Sequence, residues 1–269
     1  MDERPLLTSH SNPLVKQARA LKRRKARAES GLFLVEGLHH VGAVLEAGWD
    51  METLLYAPDL LTGDFAESLL DNARRVGIAH QPVSAKVMES LTEKDNPQGI
   101  LAVVKQRMLG FNNLQEFQSG VALVSPQDPG NVGTILRTID AVGGDALFLL
   151  DSLSGTRGSV DVYHPTCVRA SMGTIFWKPV VRAGFDEFGG WVKGKGFQLV
   201  GTSAHAQADY RDVSLGSSPW VLLLGSEQKG LSDEQIAACD VTVSMPMRGK
   251  VSSLNLAVAA GILLYTLNA

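Results

Sequence analysis

The sequence predicts an α/β protein in two parts: a smaller N-terminal α/β unit and a C-terminal unit built on a parallel sheet. Three observations carry this reading. From residue 120 onward, apolar runs of strand length alternate with helical patterns, as in a parallel sheet covered on both faces. Three glycine-punctuated segments each follow one of these runs, where open α/β sheets place their ligands. The length of 269 residues exceeds one average domain of about 150 residues.

The elements follow in order. Residues 13–28 are rich in Lys, Arg, Ala and Leu, all good helix formers, with Ser11 or Asn12 as cap and Pro13 at the first helical position. Gly31 breaks that pattern, and 32–35 reads as a short buried strand. A helix over 38–47 ends at Gly48, a strand follows over 52–57, helices over 65–76 and 84–91, and a last strand over 99–105. Residues 106–119 lose periodicity and gain Asn, Gln and Gly, so they read as a linker. The expected domains are therefore 1–105 and 120–269. In the second, an apolar run at 121–125 leads through a turn at 126–130 into a helix over 132–142. Further strands are expected at 146–150, 197–202, 220–224 and 241–244. Residues 254–267 are apolar but shorter than the roughly 20 residues of a membrane span, and with Asn255 among Ala and Gly they read as a buried helix.

Composition excludes several classes. With 45% hydrophobic and 20% charged residues, the chain has enough apolar material to fold and is not a disordered chain. The net charge of −3 and pI near 6.1 argue, as averages, against a nucleic-acid partner. The average hides a polarity: residues 1–30 hold eight Lys or Arg and three acids, a net +5, which leaves −8 on the remainder. Such asymmetry points to an anionic partner. Cys167 and Cys239 form no CxxC or disulfide framework, no secretory signal precedes them, and a reducing cytoplasm is expected. The histidines, His39–His40 and four scattered others, have no metal-site spacing, and no metal is expected.

Three segments carry chemistry. The first is DPGNVGTILRT, residues 128–138, a turn into a helix with Asn131 near its start and Arg137 six residues further on. A helix N-terminus attracts anions, and Arg offers a planar fork for phosphate. The plain alternative is an Asn cap with a surface Arg. The second is LLLGSEQKGLS, residues 222–232, a strand ending in a loop with two glycines that allow close approach to a ligand. It is neither a Walker A motif nor GxGxxG, so a P-loop NTPase or a classical dinucleotide enzyme is unsupported. Glu227 is either a site carboxylate or a solvated loop acid. The third is MPMRGKVSSLNLAVAAGILLY, residues 245–265. Ser252 or Ser253 is expected to cap its helix, with Asn255 in the first turn needing a partner.

In that order, these segments resemble motifs one, two and three of the SpoU/TrmH family, the RNA ribose 2′-O-methyltransferases of the SPOUT class. VRASMGTIF, residues 168–176, resembles the family's intervening helix. The resemblance covers about 121–269. More weakly, GLFLVEG and NPQGILAVV (96–104) resemble the family's L30e-like substrate-binding domain.

The resemblance implies a C-terminal domain tied in a deep trefoil knot, which pattern reasoning alone would exclude. It implies S-adenosylmethionine as cofactor, held by Thr202, Leu223, Gly225, Ser226, Gly230, Met245, Met247, Ser253 and Leu254, largely through backbone groups. It implies a homodimer with the active site near the interface. Asn131, Arg137, Glu227, Ser253 and Asn255 match the family's catalytic positions. Arg137 is expected to hold the phosphate beside the target ribose and stabilise developing alkoxide, with Asn131, Glu227 and Asn255 orienting it. Where the family usually has Gly, this chain has Gln228, which suits a positive φ poorly.

With that reading, Lys16, Lys22, Arg23, Arg24, Lys25 and Arg27 are expected to clamp an RNA backbone, with Arg169 a further RNA contact; a solvated helix face is the alternative. The expected reaction is methyl transfer to a ribose 2′-hydroxyl of structured RNA, 23S-type ribosomal RNA ahead of tRNA. The competing classes are a base-modifying SPOUT enzyme and a non-catalytic ribosome-assembly factor.

Overall fold

The computed structural model describes residues 4–92, 97–151 and 160–268; Asn96 and Ala269, which end two of the segments read above, lie outside them. The chain forms two compact units. One comprises Met1–Arg107 with Tyr163–Trp177, the other Met108–Val162 with Lys178–Ala269.

In the first unit, the basic stretch expected as one helix is two: α1 (Pro13–Ala20) and α2 (Arg24–Ser30). Asn12 caps α1, its side chain accepting from the Leu14 amide. Gly31, in the left-handed region at φ 68°, ends α2 as predicted. The break between them is held by Arg27. Its guanidinium is 1% exposed and donates from Nη1 to the carbonyls of Leu21 (2.8 Å) and Lys22 (2.9 Å). Arg27 therefore satisfies orphan backbone acceptors and is not an RNA contact. Lys22 is half-buried and donates to the carbonyls of Ser90 and Thr92. Lys16, Arg23, Arg24 and Lys25 remain exposed.

A four-stranded sheet follows, β1 (Leu32–Glu36), β2 (Met51–Tyr56), β3 (His80–Pro82) and β4 (Ile100–Lys105), in the order β1-β4-β2-β3. β4 is antiparallel to both neighbours, and five of its six residues, Ile100, Leu101, Ala102, Val103 and Val104, are buried. The three-residue β3 has no apolar pattern to betray it. Helices α3 (Leu38–Glu46), α4 (Asp64–Arg75) and α5 (Ala85–Leu91) complete the sequence-expected set, with Ser84 capping α5.

The segment Tyr163–Trp177, with α7 (Pro165–Ala170), packs with this unit and departs from the expected assignment of 120–269 to one domain. Aromatic burial is the reason. Phe33 lies against Trp49, Tyr163 and Phe176, with ring centroids 4.5 to 6.5 Å apart, and Trp49 Nε1 donates to the Phe176 carbonyl at 2.7 Å.

The second unit has a seven-stranded sheet, parallel throughout: β5 (Ser119–Val124), β6 (Ala146–Asp151), β7 (Val180–Gly184), β8 (Gln198–Thr202), β9 (Ala208–Asp209), β10 (Trp220–Leu224) and β11 (Val241–Ser244). The order is β7-β6-β5-β10-β8-β11-β9. The two edge strands β7 and β9 escape the pattern reading because edges alternate or are too short to show periodicity. Central β5 and β10 are buried along their length, as strands covered on both faces must be. Helices α6 (Pro129–Ala141), α8 (Phe185–Lys195), α9 (Asp233–Ala237) and α10 (Leu256–Leu267) lie between and after the strands. The expected linker is partly core: Phe111 and Phe117 pack with Phe148 and Trp191, and β5 begins at Ser119. No helix among the described residues is long and apolar enough to cross a membrane.

Candidate functional site at the carboxyl edge of the parallel sheet

A parallel sheet brings the carboxyl ends of all its strands to one edge, so the segments after β5, β8, β10 and β11 share it. After β5 the chain turns at Ser125, a non-glycine residue at φ 47°. Asp128 then caps α6, its Oδ1 accepting from the amides of Gly130 (2.6 Å) and Asn131 (3.1 Å). The cap is thus Asp128, and the Asn131 side chain is free for another role.

That role is a junction. Asn131 Nδ2 donates to Glu227 Oε1 at 3.5 Å, and Asn131 Oδ1 accepts from Asn255 Nδ2 at 3.0 Å. One residue from each glycine-punctuated segment meets here. Asn255 also corrects the expected cap of the last helix. Its Oδ1 accepts from the amides of Ala257 (2.9 Å) and Val258 (3.3 Å), so Asn255, not Ser252 or Ser253, is the N-cap of α10. Its polarity among apolar neighbours is accounted for at both ends. Ser253 is exposed two positions earlier.

The loop after β10 closes on itself. Gly230 N donates to Ser226 O (2.9 Å) and Lys229 N to Ser226 Oγ (3.3 Å), with Gly230 at φ 67°. A methyl group at Gly225 would overlap the backbone of Gly230 and Leu231, so only glycine fits. Gln228 is not in the left-handed region, which among the described non-glycine residues Ser125 and Met172 alone occupy, so this position does not demand the glycine usual in the family.

Thr202 ends β8, Ser226 is the second residue of the loop after β10, and Met245 begins the loop after β11; all three are half-buried, as is Met247. Leu254 is exposed. Leu223 is buried within β10 and paired on both sides, so it supports the edge from beneath. Residues 246–254 have no regular structure, and their backbone makes no hydrogen bond with other described residues. The segment thus leaves backbone amides and carbonyls available to a ligand, with the side chains of Met245, Met247 and Leu254 in the same stretch.

Arg137 is not joined to this junction. It is exposed on α6 and makes no hydrogen bond or ion pair with a described residue. Arg169 is exposed on α7 in the first unit. Sequence reasoning missed the Asp209–Arg211 pair beside β11. Arg211 holds the Asp209 carboxylate through Nε (2.8 Å) and Nη2 (2.7 Å), and these hydrogen bonds draw its pKa down to about 2. The Cys239 thiol is pushed up to about 12 by burial, which removes it as a nucleophile. The described residues hold no cluster of three or more metal-ligating side chains.

Residues 118–265 match the SpoU rRNA Methylase family, and residues 12–102 match an MRM3-like substrate binding domain. The chain is 36% identical over 253 residues to the 23S rRNA (uridine(2479)-2′-O)-methyltransferase of Streptomyces viridochromogenes, covering 91% of this chain and 85% of that protein. It is 30% identical over 261 residues to the 23S rRNA (guanosine(2553)-2′-O)-methyltransferase RlmP of Bacillus subtilis strain 168, covering 97% of this chain and 98% of that protein. The AdoMet-bound rRNA methyltransferase from Sinorhizobium meliloti superposes with a TM-score of 0.87 at 36% identity, covering 97% of this chain and 96% of that one.

The two functions of Asn255 can be separated. Asn255→Ala removes cap and junction, and thermal unfolding will show a loss of about 1 kcal/mol. Asn255→Asp keeps the capping oxygen but loses the donor to Asn131, so it will retain most of the stability while weakening activity. Equal destabilisation by both would contradict the cap assignment.

Proposed function

Because the chain belongs to the SpoU rRNA methylase family, and is with it an S-adenosylmethionine-dependent RNA ribose 2′-O-methyltransferase, we propose that its substrate is 23S-type ribosomal RNA and that Arg137 acts at the target ribose. The observation that carries the site assignment is the Glu227–Asn131–Asn255 junction, which joins all three motif segments at the sheet edge.

The loops at this edge suit S-adenosylmethionine. Backbone groups around Gly225 and Ser226 and along residues 245–254 offer hydrogen bonds, while Met245, Met247 and Leu254 offer apolar contact. Bound there, the cofactor supplies an electrophilic methyl on a sulfonium sulfur. What the protein must supply is geometry and charge. Asn131, Glu227 and Asn255 hold the segments in register and present polar groups toward the ribose. Guanidinium groups stay protonated in proteins, so Arg137 acts as a fixed positive charge and not as a base. It binds the phosphate beside the ribose and stabilises the 2′-oxygen as its proton passes to water or a phosphate oxygen. Its exposure and its lack of a partner among the described residues support an anionic ligand for it.

We carry three further readings over with the family. The molecule is a homodimer: Val258, Ile262 and Tyr265 form an exposed apolar stripe along one face of α10, which supports a self-complementary interface. The second unit follows the family's knotted path, supported by a strand order in which β10 lies between β5 and β8. The first unit handles RNA in the cytoplasm, through Lys16, Arg23, Arg24 and Lys25 and through Arg169; the exposure of these five supports it.

Arg137→Ala will abolish methyl transfer to ribosomal RNA while S-adenosylmethionine still binds, measured by calorimetric titration beside a labelled-methyl assay. Turnover retained in that variant would remove Arg137 from the mechanism. Changing Lys16, Arg23, Arg24 and Lys25 together to Glu will weaken RNA binding and flatten its dependence on salt. Binding that stays the same would return these residues to an ordinary solvated surface.

A further inference from the structure

The first unit carries a groove that the methyltransferase reading does not use. It is an open groove of about 940 Å³ between α3, α4 and the end of the segment Tyr163–Trp177. Two small residues, Gly42 and Ala43, are among those that line it. Gly42 lies under the Phe65 ring, which a Cβ there would meet at 3.7 Å, and Ala43 lies beside Gly173 and near Trp177. The walls are the two aromatic side chains. Phe65 is 61% exposed and Trp177 is 45% exposed, and both line the groove. Large aromatics this open are uncommon on a surface that only faces water, and they mark contact sites.

The rim is acidic. Glu46, Asp64 and Glu67 line it, all exposed and without an ion-pair partner among the described residues. Asp71 is paired with Arg74 at 3.0 Å, and Arg75 is the one Lys or Arg among the lining residues. Asp64 and Glu67 stand in the first turn of α4, where carboxylates favour the helix. That position explains their type but not the exposed aromatics between them and Trp177. Carboxylates flanking open π-faces attract cationic side chains twice over, by charge and by cation–π contact. The same carboxylates repel phosphate, so this face differs from the basic α1–α2 side of the unit.

We propose that this groove is a docking site for a cationic segment of a partner protein, with Arg or Lys side chains stacked on Phe65 and Trp177 and paired with the rim carboxylates. The claim is independent of the catalytic assignment.

The test is a titration of the full-length protein with a short fluorescein-labelled peptide of alternating Arg and Leu, read by anisotropy, against an Asp–Leu control. The Arg peptide will bind and the control will not. Phe65→Ala and, separately, Glu67→Lys will each weaken binding about tenfold, while RNA methylation stays unchanged. Both residues are exposed, and circular dichroism will check that both variants fold. Equal affinity in wild type and variants overturns the proposal. So does a loss of RNA affinity in Phe65→Ala, which would make the groove an RNA surface, and so does a change in oligomeric state, which would make it an interface between copies of this chain.

Discussion

Asn131 is a single amide that uses both of its ends, and the arrangement at the carboxyl edge of the parallel sheet depends on it. Its NH₂ group reaches Glu227 in the loop after β10, and its carbonyl takes a hydrogen bond from Asn255. Asn255 in turn fixes the start of α10 by capping two of its amides. Displacing any one of the three segments therefore disturbs the other two. The junction is neutral apart from Glu227, so it holds the loops in register without burying an unpaired charge. Gly225 completes the arrangement from below, because only a hydrogen in place of a side chain lets the β10 loop fold back over its own backbone.

The first unit is held by a different force. Phe33, Trp49, Tyr163 and Phe176 gather a segment distant in sequence into its core, and one indole N–H is spent on a backbone carbonyl. His39 and His40 add contacts from α3 to the carbonyls of Met172 and Arg169. The chain thus leaves the second unit after Val162 and returns to it at Lys178. Residues 168–176, which resemble a helix of the catalytic domain, are packed with the substrate-binding half of the chain.

Much of this was legible in the residues, for physical reasons that differ by position. Central strands such as β5 and β10 read clearly because burial on both faces leaves an unbroken apolar run. Gly31 and Ser84 announced helix ends, the glycine because it lacks a Cβ and takes a left-handed φ, the serine because its hydroxyl accepts from the first turn. Asn131, Glu227 and Asn255 could be singled out through the family resemblance, but the hydrogen bonds that bring them together could not. Spacing does not say which of Ser252, Ser253 and Asn255 caps a helix, since all can. Arg27 looked like its neighbours; only the break between α1 and α2 turns it inward to the Leu21 and Lys22 carbonyls. The return of Tyr163–Trp177 to the first unit is a long-range packing event, and no local pattern records it.

On the function proposed above, the sheet edge built on Asn131 is where methyl passes to a ribose oxygen. The most direct measurement is the location of label from methyl-labelled S-adenosylmethionine in 23S ribosomal RNA after complete alkaline hydrolysis. A 2′-O-methyl group blocks cleavage at its own phosphodiester. Ribose methylation will leave label confined to alkali-resistant dinucleotides that release a 2′-O-methylnucleoside on further digestion. Label recovered in mononucleotides, on the base, would contradict it.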